Sequence, residues 1–213
     1  MNLADIRKEY MLAELDEEIV GDEPLSFFNT WFLEAEEAQI TDVNAMTLAT
    51  VDALTMPHAR TVLLKELDDA GFVFYTNYQS AKGNEMKSNT NVALLFYWKE
   101  LERQVRIEGT VEKVTDIVSD TYFNSRPEGS KLGAWSSPQS SVIPHRKIIE
   151  TNYAKYAEEF SNLDIPRPPH WGGYRVIPKN IEFWQGRANR MHDRILFTFD
   201  PQDKKWSKYR LAP

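Results

Sequence analysis

VALLFYWKELERQVRIEGTVEKV, residues 92–114, decides the fold. VALLFYW (92–98) is an apolar, aromatic run of strand length, and ERQVRIEGTVEKV (102–114) carries a longer strand pattern. Only residues 99–101 separate them, too few for a parallel crossover, so the pair is predicted to be antiparallel. Gly109, in the middle of the second run, predicts a bulge or bend.

Working outward, the same pattern recurs. Upstream lie AMTLATV (45–51), ARTVLLKEL (59–67) and FVFYTN (72–77), separated by turn residues that include Pro57 and Gly71. Downstream, strands are predicted at 172–177, 181–185, 194–199 and 205–210, after a Pro-rich connector IPRPPH (165–170). Helices are expected at three places. Residues 24–40 place Phe28, Trp31, Phe32, Ala35 and Ala38 at helical spacing. Residues 116–126 form a short helix stopped by Pro127, and 145–160 align Ile149, Tyr153, Tyr156 and Phe160. Strands outnumber helices and their connections are short. The fold class is therefore mainly β: a closed or partly closed antiparallel barrel with peripheral helices, in one domain over 1–213.

Composition narrows the function. A net charge of −7 argues against nucleic acid and anionic membranes as general partners, so any bound anion must meet a local basic cluster. The absence of Cys removes disulfides and thiolate chemistry. The first residues, MNLADIRKEYMLAELDEE, lack the apolar core of a secretory signal, and no apolar run is long enough to span a bilayer. A cytoplasmic location is the expectation. The four His (58, 145, 170, 192) lack metal-ligand spacing, and GxSxG, HExxH, GxGxxG and P-loop patterns are missing. No metal is expected.

Polar and basic residues cluster in five places. In ARTVLLK, an odd separation puts Arg60 and Lys65 on opposite faces of a regular strand; a cation at each end of a strand is also what a solvated end looks like. In YTNYQSAKGNEM (75–86), hydroxyls and Lys82 at a strand end suit a phosphate, or an ordinary polar loop. In TYFNSRPEGSKLGAWSSPQSS (121–141), Tyr122 and Arg126 share a helix face, with Ser130 just beyond Pro127. Gln139, Ser140 and Ser141 add donors there, although Arg126 could simply serve a helix C-terminus. Gln104 could face a planar heterocycle or solvent. Finally, IEFWQGRANRMHDR (181–194) crowds Trp184, Arg187, Arg190, His192, Asp193 and Arg194 into one run. This is chemistry suited to a phosphorylated aromatic ligand.

Together these pieces resemble the pyridoxamine (pyridoxine) 5′-phosphate oxidase family. The matching motifs are RTVLLK, FYTN, LERQVRIEG, YFNSRP, GAWSSPQSS, WGGYRV, IEFWQG, NRMHDR and the terminal RLAP, in family order from about residue 44 onward. The resemblance implies an FMN-binding split β-barrel of Greek-key type, working as a homodimer with FMN held between subunits. It implies FMN contacts from Arg60, Thr61, Val62, Leu63, Leu64, Lys65, Tyr75, Thr76, Lys82, Gln104, Gln139, Ser140, Trp184 and Arg194. Lys65, Tyr122, Arg126 and Ser130 would hold the substrate phosphate. Arg190, Met191 and His192 would meet the substrate, with Arg190 and His192 at its ring and reacting carbon. Arg7, Lys8, Glu9 and Tyr10 would cover the site, as part of a flexible N-terminal segment over 1–20. In IEFWQGRANRMHDR, Gly186 would permit a turn, Arg187 would face solvent and Asp193 would orient a neighbouring Arg. The implied reaction is oxidation of pyridoxamine 5′-phosphate or pyridoxine 5′-phosphate to pyridoxal 5′-phosphate by O2, with hydrogen peroxide as co-product. Alternatives are a non-catalytic FMN or pyridoxal-phosphate binder on the same barrel, or a flavin reductase. One departure stands out: the family's basic pair after FYTN reads Ala81-Lys82 here, which implies weaker FMN retention.

Overall fold

A computed structural model describes residues 9–213. In chain order it contains α1 (Pro24–Glu37), β1 (Ala45–Val51), β2 (Pro57–Leu63), β3 (Glu66–Asp68), β4 (Gly71–Asn77), α2 (Ala81–Ser88), β5 (Asn91–Trp98) and β6 (Arg103–Lys113). There follow α3 (Asp116–Ser125), α4 (Glu128–Ser136), α5 (Lys147–Glu159), β7 (Trp171–Gln185), β8 (Asp193–Asp200) and β9 (Lys205–Arg210). The nine strands form one sheet in the order β2-β1-β5-β6-β7-β4-β3, with β8 and β9 branching from β7. All of its pairings are antiparallel.

Alternation makes one face of this sheet apolar. Met46, Leu48, Leu94, Phe96, Val105, Ile107, Ile181, Phe183, Ile195 and Phe197 are buried along five strands. Helix α1 starts on Pro24, a residue pre-set for the first helical turn. It lays Phe27, Phe28, Trp31 and Ala35 on that face. Phe27 meets Phe183 edge-on at 4.8 Å, and Phe28 meets Phe72 at 4.9 Å and Phe96 at 5.0 Å. The curled sheet thus closes over α1 as a half-barrel.

Three local features differ from the sequence expectation, each for a physical reason. ARTVLLKEL is two strands, because the chain changes partner at Leu64. The Leu64 N–H still bonds the Asn44 carbonyl beside β1 (2.8 Å), but the Lys65 N–H bonds Val73 of β4 (2.9 Å). The alternation that separated Arg60 from Lys65 therefore breaks between them. Residues 172–177 and 181–185 are one strand, β7, which runs through Pro178. The register shifts there, between Glu108 and Gly109, where Pro178 faces Gly109. Gly109 is required by close approach, since a Cβ would lie 2.1 Å from the Ile177 carbonyl oxygen. The predicted bulge is at its predicted place. The stretches 81–88 and 128–136 are helices where no helix was expected. Ser80 caps α2 by accepting from the Gly83 N–H, and Pro127 precedes the first turn of α4. Helix α5 buries none of its residues fully, and Tyr153 of its expected apolar face is exposed.

The N-terminal chain is tied down from Met11 onward. Its Met11 and Leu12 N–H groups donate to the buried Glu102 carboxylate, and its Leu15 N–H donates to Asp193. Leu15 and Val20 enter the core. From Met11 on, the chain expected to be loose over 1–20 is held against the fold by these contacts. No described helix is long and apolar enough to cross a membrane.

Candidate functional site

A cleft of about 590 Å³ opens where β2, β4, α3 and the 139–140 loop meet. Its lining gathers Arg60, Thr61, Val62, Leu63, Lys65, Tyr75, Thr76, Lys82, Tyr122, Arg126, Gln139 and Ser140, all expected from the sequence. Arg60 and Lys65 thus share one cleft, contrary to the opposite-face expectation. Leu64 is the exception in its run: its side chain turns into the core and is 7% exposed. Asn77 and Trp171 also line the cleft and were missed. Ser130 sits in an adjoining recess of about 260 Å³ that shares Asn77, Arg126, Gln139 and Trp171 with the cleft.

One wall is aromatic. Tyr75 stacks on Tyr122 at 3.9 Å and 14°, and on Trp171 at 5.5 Å and 11°. The Arg126 guanidinium carbon lies 4.6 Å from the Trp171 ring centre. Burial, with Glu66 and Tyr122 adding to it, pushes the Tyr75 phenol up to about 12, so this hydroxyl stays protonated at neutral pH.

The charge balance of the cleft is one-sided. Among the described residues its lining holds Arg60, Lys65, Lys82 and Arg126 and no acidic residue. Arg60 is paired from behind by Glu85 at 2.7 Å, and also bonds Thr50. Among the described residues Lys82 meets two neutral oxygens, Thr76 Oγ1 and Gln139 Oε1, each at 3.4 Å. Burial and the neighbouring Arg60 lower the Lys82 pKa. Burial also lowers that of Arg126, and its buried Nη1 has no hydrogen-bond partner among the described residues. A buried guanidinium N–H without an acceptor is costly unless an anion completes it.

The other expected residues assemble elsewhere on the chain. Gln104, Trp184 and Arg194 form one rung across β6, β7 and β8. Arg194 bonds Glu182 at 2.7 Å and the Ala212 carbonyl at 2.9 Å. Glu182 also takes Arg106 at 2.6 Å; burial opposes its charge, but the two guanidinium groups win and lower its pKa. The His192 ring packs on Trp184 at 4.6 Å and on Tyr10 at 5.9 Å. Asn189 and Arg190 both have positive φ, at 54° and 62°, which holds Arg190 out of the strand path. Arg190 and Met191 are exposed, as is Glu9.

Two expectations within this run change. Gly186 is required for space, not for a turn: a Cβ would lie 2.7 Å from the Tyr10 ring and 3.1 Å from Glu102 Cβ. Arg187 does not face solvent freely, since it bonds Asp193 at 2.9 Å and Glu14 at 2.7 Å. Asp193 orients Arg187 and Arg210, as its expected role requires. Of the proposed cover, Tyr10 packs over Trp184 and His192, while Arg7 and Lys8 lie outside the described residues.

Comparison with known proteins identifies the family. Residues 32–159 match the family model described as pyridoxamine 5′-phosphate oxidase. Residues 171–213 match that described as the pyridoxine 5′-phosphate oxidase C-terminal dimerisation region. The chain belongs to the pyridoxamine 5′-phosphate oxidase family. Its oxidase relatives are similar over their whole length. The pyridoxine/pyridoxamine 5′-phosphate oxidase 1 of Ralstonia nicotianae is 54% identical, covering 100% of this chain and 99% of the relative. That of Chromohalobacter salexigens is 52% identical, with the same coverage. Among solved structures, PhzG from Burkholderia lata, in complex with tetrahydrophenazine-1-carboxylic acid, superposes with a TM-score of 0.88 at 26% identity, covering 95% of this chain and 99% of that one. An oxidase-related FMN-binding protein from Nostoc punctiforme reaches 0.71 at 16% identity, covering 89% and 98%, and supports the split-barrel fold alone. The cleft lies within the first matched region apart from Trp171, whereas Trp184 and His192 lie in the dimerisation region.

Proposed function

We propose that this oxidase converts pyridoxamine 5′-phosphate or pyridoxine 5′-phosphate to pyridoxal 5′-phosphate, with FMN as cofactor and dioxygen as acceptor. The alcohol and O2 give the aldehyde and H2O2; the amine, O2 and water give the aldehyde, ammonia and H2O2. The observation that carries this reading is the acid-free cationic cleft with its unpartnered Arg126 Nη1 beside stacked aromatics. In a chain of net charge −7, such a cleft suits a phosphate on a planar ring.

The donor set fits FMN. Arg60, Thr61, Thr76, Lys82, Gln139 and Ser140 would hold it, with Val62, Leu63, Lys65 and Tyr75 beside it. Lys65, Tyr122, Arg126 and Ser130 would take the substrate phosphate. When bound, FMN supplies the hydride acceptor and passes the electrons to dioxygen. Everything else is the protein's work. The cations fix the phosphate, and fixing it places the reacting carbon at a repeatable distance and angle. Arg190, free of any described carboxylate, is suited to stabilise negative charge that develops on the substrate.

We further propose a composite site. Trp184, Arg190, His192 and Arg194 line no part of the cleft on their own chain, and they belong to the dimerisation region. A second copy would bring its Gln104–Trp184–Arg194 rung, with Arg190 and His192, to the first copy's cleft, holding FMN between subunits. Tyr10 would close over that junction.

The test is spectroscopic. The purified protein should be yellow, and pyridoxine 5′-phosphate added without oxygen should bleach the flavin band. Bound flavin that stays oxidised would favour a non-catalytic carrier.

A further inference from the structure

We propose that His192 acts as a hydrogen-bond donor through Nε2 and is not a proton acceptor, because the fold locks it in the Nε2–H tautomer. The inference rests on the oxidase reading only for the identity of the substrate. The lock is a single contact: the Arg187 backbone N–H donates to His192 Nδ1 at 3.1 Å. A backbone amide can only donate, so Nδ1 must offer its lone pair. Neutral imidazole carries one N–H, which is then on Nε2.

The surroundings hold this arrangement in place. The Arg187 guanidinium is pinned by Asp193 and by Glu14 of the N-terminal strap. The preceding Gly186 N–H is fixed on the Glu102 carbonyl at 2.8 Å. Trp184 and Tyr10 pack on the ring, setting its plane. Protonating Nδ1 would turn it against the Arg187 N–H, donor to donor. The charged groups around the ring are Arg190, which opposes an imidazolium, Asp193, which favours it, and Arg187, whose guanidinium is turned to Asp193 and Glu14; the Tyr10 ring packs on it from the N-terminal chain. Burial and Arg190 prevail and lower the His192 pKa from its ordinary 6.5.

The consequence is chemical. With Nδ1 engaged and Nε2 already protonated, the ring has no free lone pair to accept a substrate proton. It can present one N–H to an oxygen or nitrogen bearing a lone pair, and it stabilises negative charge there. Arg187 becomes a positioning residue, acting through its backbone amide on His192.

Long-range ¹H–¹⁵N correlation of histidine-labelled holoprotein reads the tautomer directly, with His192 assigned by loss of its signals in His192→Asn. At neutral pH, Nδ1 should show the shift of an unprotonated nitrogen and Nε2 that of an N–H nitrogen. A protonated Nδ1, or an imidazolium at pH 7, would overturn the proposal. A substitution pair adds a functional arm. Gln can place an amide N–H where Nε2 lies, whereas Asn can replace only the Nδ1 position. His192→Gln should exceed His192→Asn in kcat/KM by about tenfold, the effect of one hydrogen bond. Equal values, or Asn ahead, would count against donation. The NMR arm reads the ring alone, so failure of the substrate reading would show only in the kinetics.

Discussion

The cleft and the Trp184–His192 cluster are both rich in cations, but they treat them oppositely. In the cleft, Lys65, Lys82 and Arg126 have no carboxylate within ion-pair distance among the described residues, and only Arg60 is paired, by Glu85. In the cluster, Arg187, Arg194 and Arg210 are all paired, and Arg190 has no carboxylate partner among the described residues. A cation left without an acid is open to an anion from solution, whereas a cation bonded to an acid holds other side chains in position. On the proposed function, the unpaired cations would bind and the paired ones would chiefly hold geometry, with Arg60 and Arg194 doing both.

Removing an unpaired cation should therefore damage binding first. Arg126→Met should lower kcat/KM for pyridoxine 5′-phosphate by about 10²–10³-fold, corresponding to two charge-assisted hydrogen bonds of roughly 1.5–3 kcal/mol each, partly compensated. The loss for phosphate-free pyridoxine should be far smaller. If both substrates lose activity equally, Arg126 is not a phosphate ligand and the contrast fails at its strongest point.

Removing an acid from the paired region should damage stability instead. Glu182 is buried between Arg106 and Arg194. Glu182→Ala should cost about 2–3 kcal/mol in denaturant unfolding, below the figure for a fully buried pair because both guanidinium groups reach solvent. Lys65→Met, by contrast, should change stability by about 0.5 kcal/mol or less. Similar costs for the two variants would erase the distinction.

How much of this was legible in the sequence follows from what each signal depends on. Strands β1 and β9 have their predicted bounds, and the Gly109 bulge its predicted place, because apolar patterning and glycine report burial locally. Helix α2 was hidden because AKGNEMKS carries little apolar patterning: its buried Gly83, Glu85 and Met86 answer to a tertiary neighbour and a Ser80 cap. The partner change at Leu64 was hidden because it depends on Val73, which is distant in sequence. Motif likeness found most of the cleft, but it missed Trp171 and Asn77, and it could not reveal that Arg187 is pinned by Glu14. The aromatic at the start of WGGYRV was the available signal for Trp171.

The Ala81 departure bears on the cleft's only cation from α2. Lys82 is held by neutral oxygens, and Ala81 beside it is exposed. Ala81→Arg should tighten FMN binding by about tenfold, the lower end for one charge-assisted hydrogen bond. Titration of apoprotein by flavin fluorescence measures it, and equal dissociation constants would mean that Lys82 and Arg60 already satisfy the phosphate.

The smallest expected effect concerns how the strap is fastened. Hydrogen bonds from Arg210 are the main cause that lowers the Glu17 pKa from 4.5 to about 2. A carboxylate whose pKa is depressed on folding contributes stability that is complete above its ordinary pKa and is lost as pH falls through the folded value. The Glu17 contribution is therefore intact above pH about 4.5, falls through the interval below it and is lost below pH about 2. The Lys208 bonds to the Glu17 and Gly21 carbonyls need no carboxylate, and Leu15 stays buried, so the strap should loosen without the sheet unfolding. Hydrogen exchange at residues 11–18 should rise as pH falls across that window, after correction for intrinsic rates. Glu17→Gln should show raised exchange already at neutral pH and a flatter response to acid. Wild-type protection in that variant would mean that the ion pair follows the strap's position and does not set it. In the cleft, acid can neutralise a carboxylate partner only at the Arg60–Glu85 pair, because Lys65, Lys82 and Arg126 have none among the described residues.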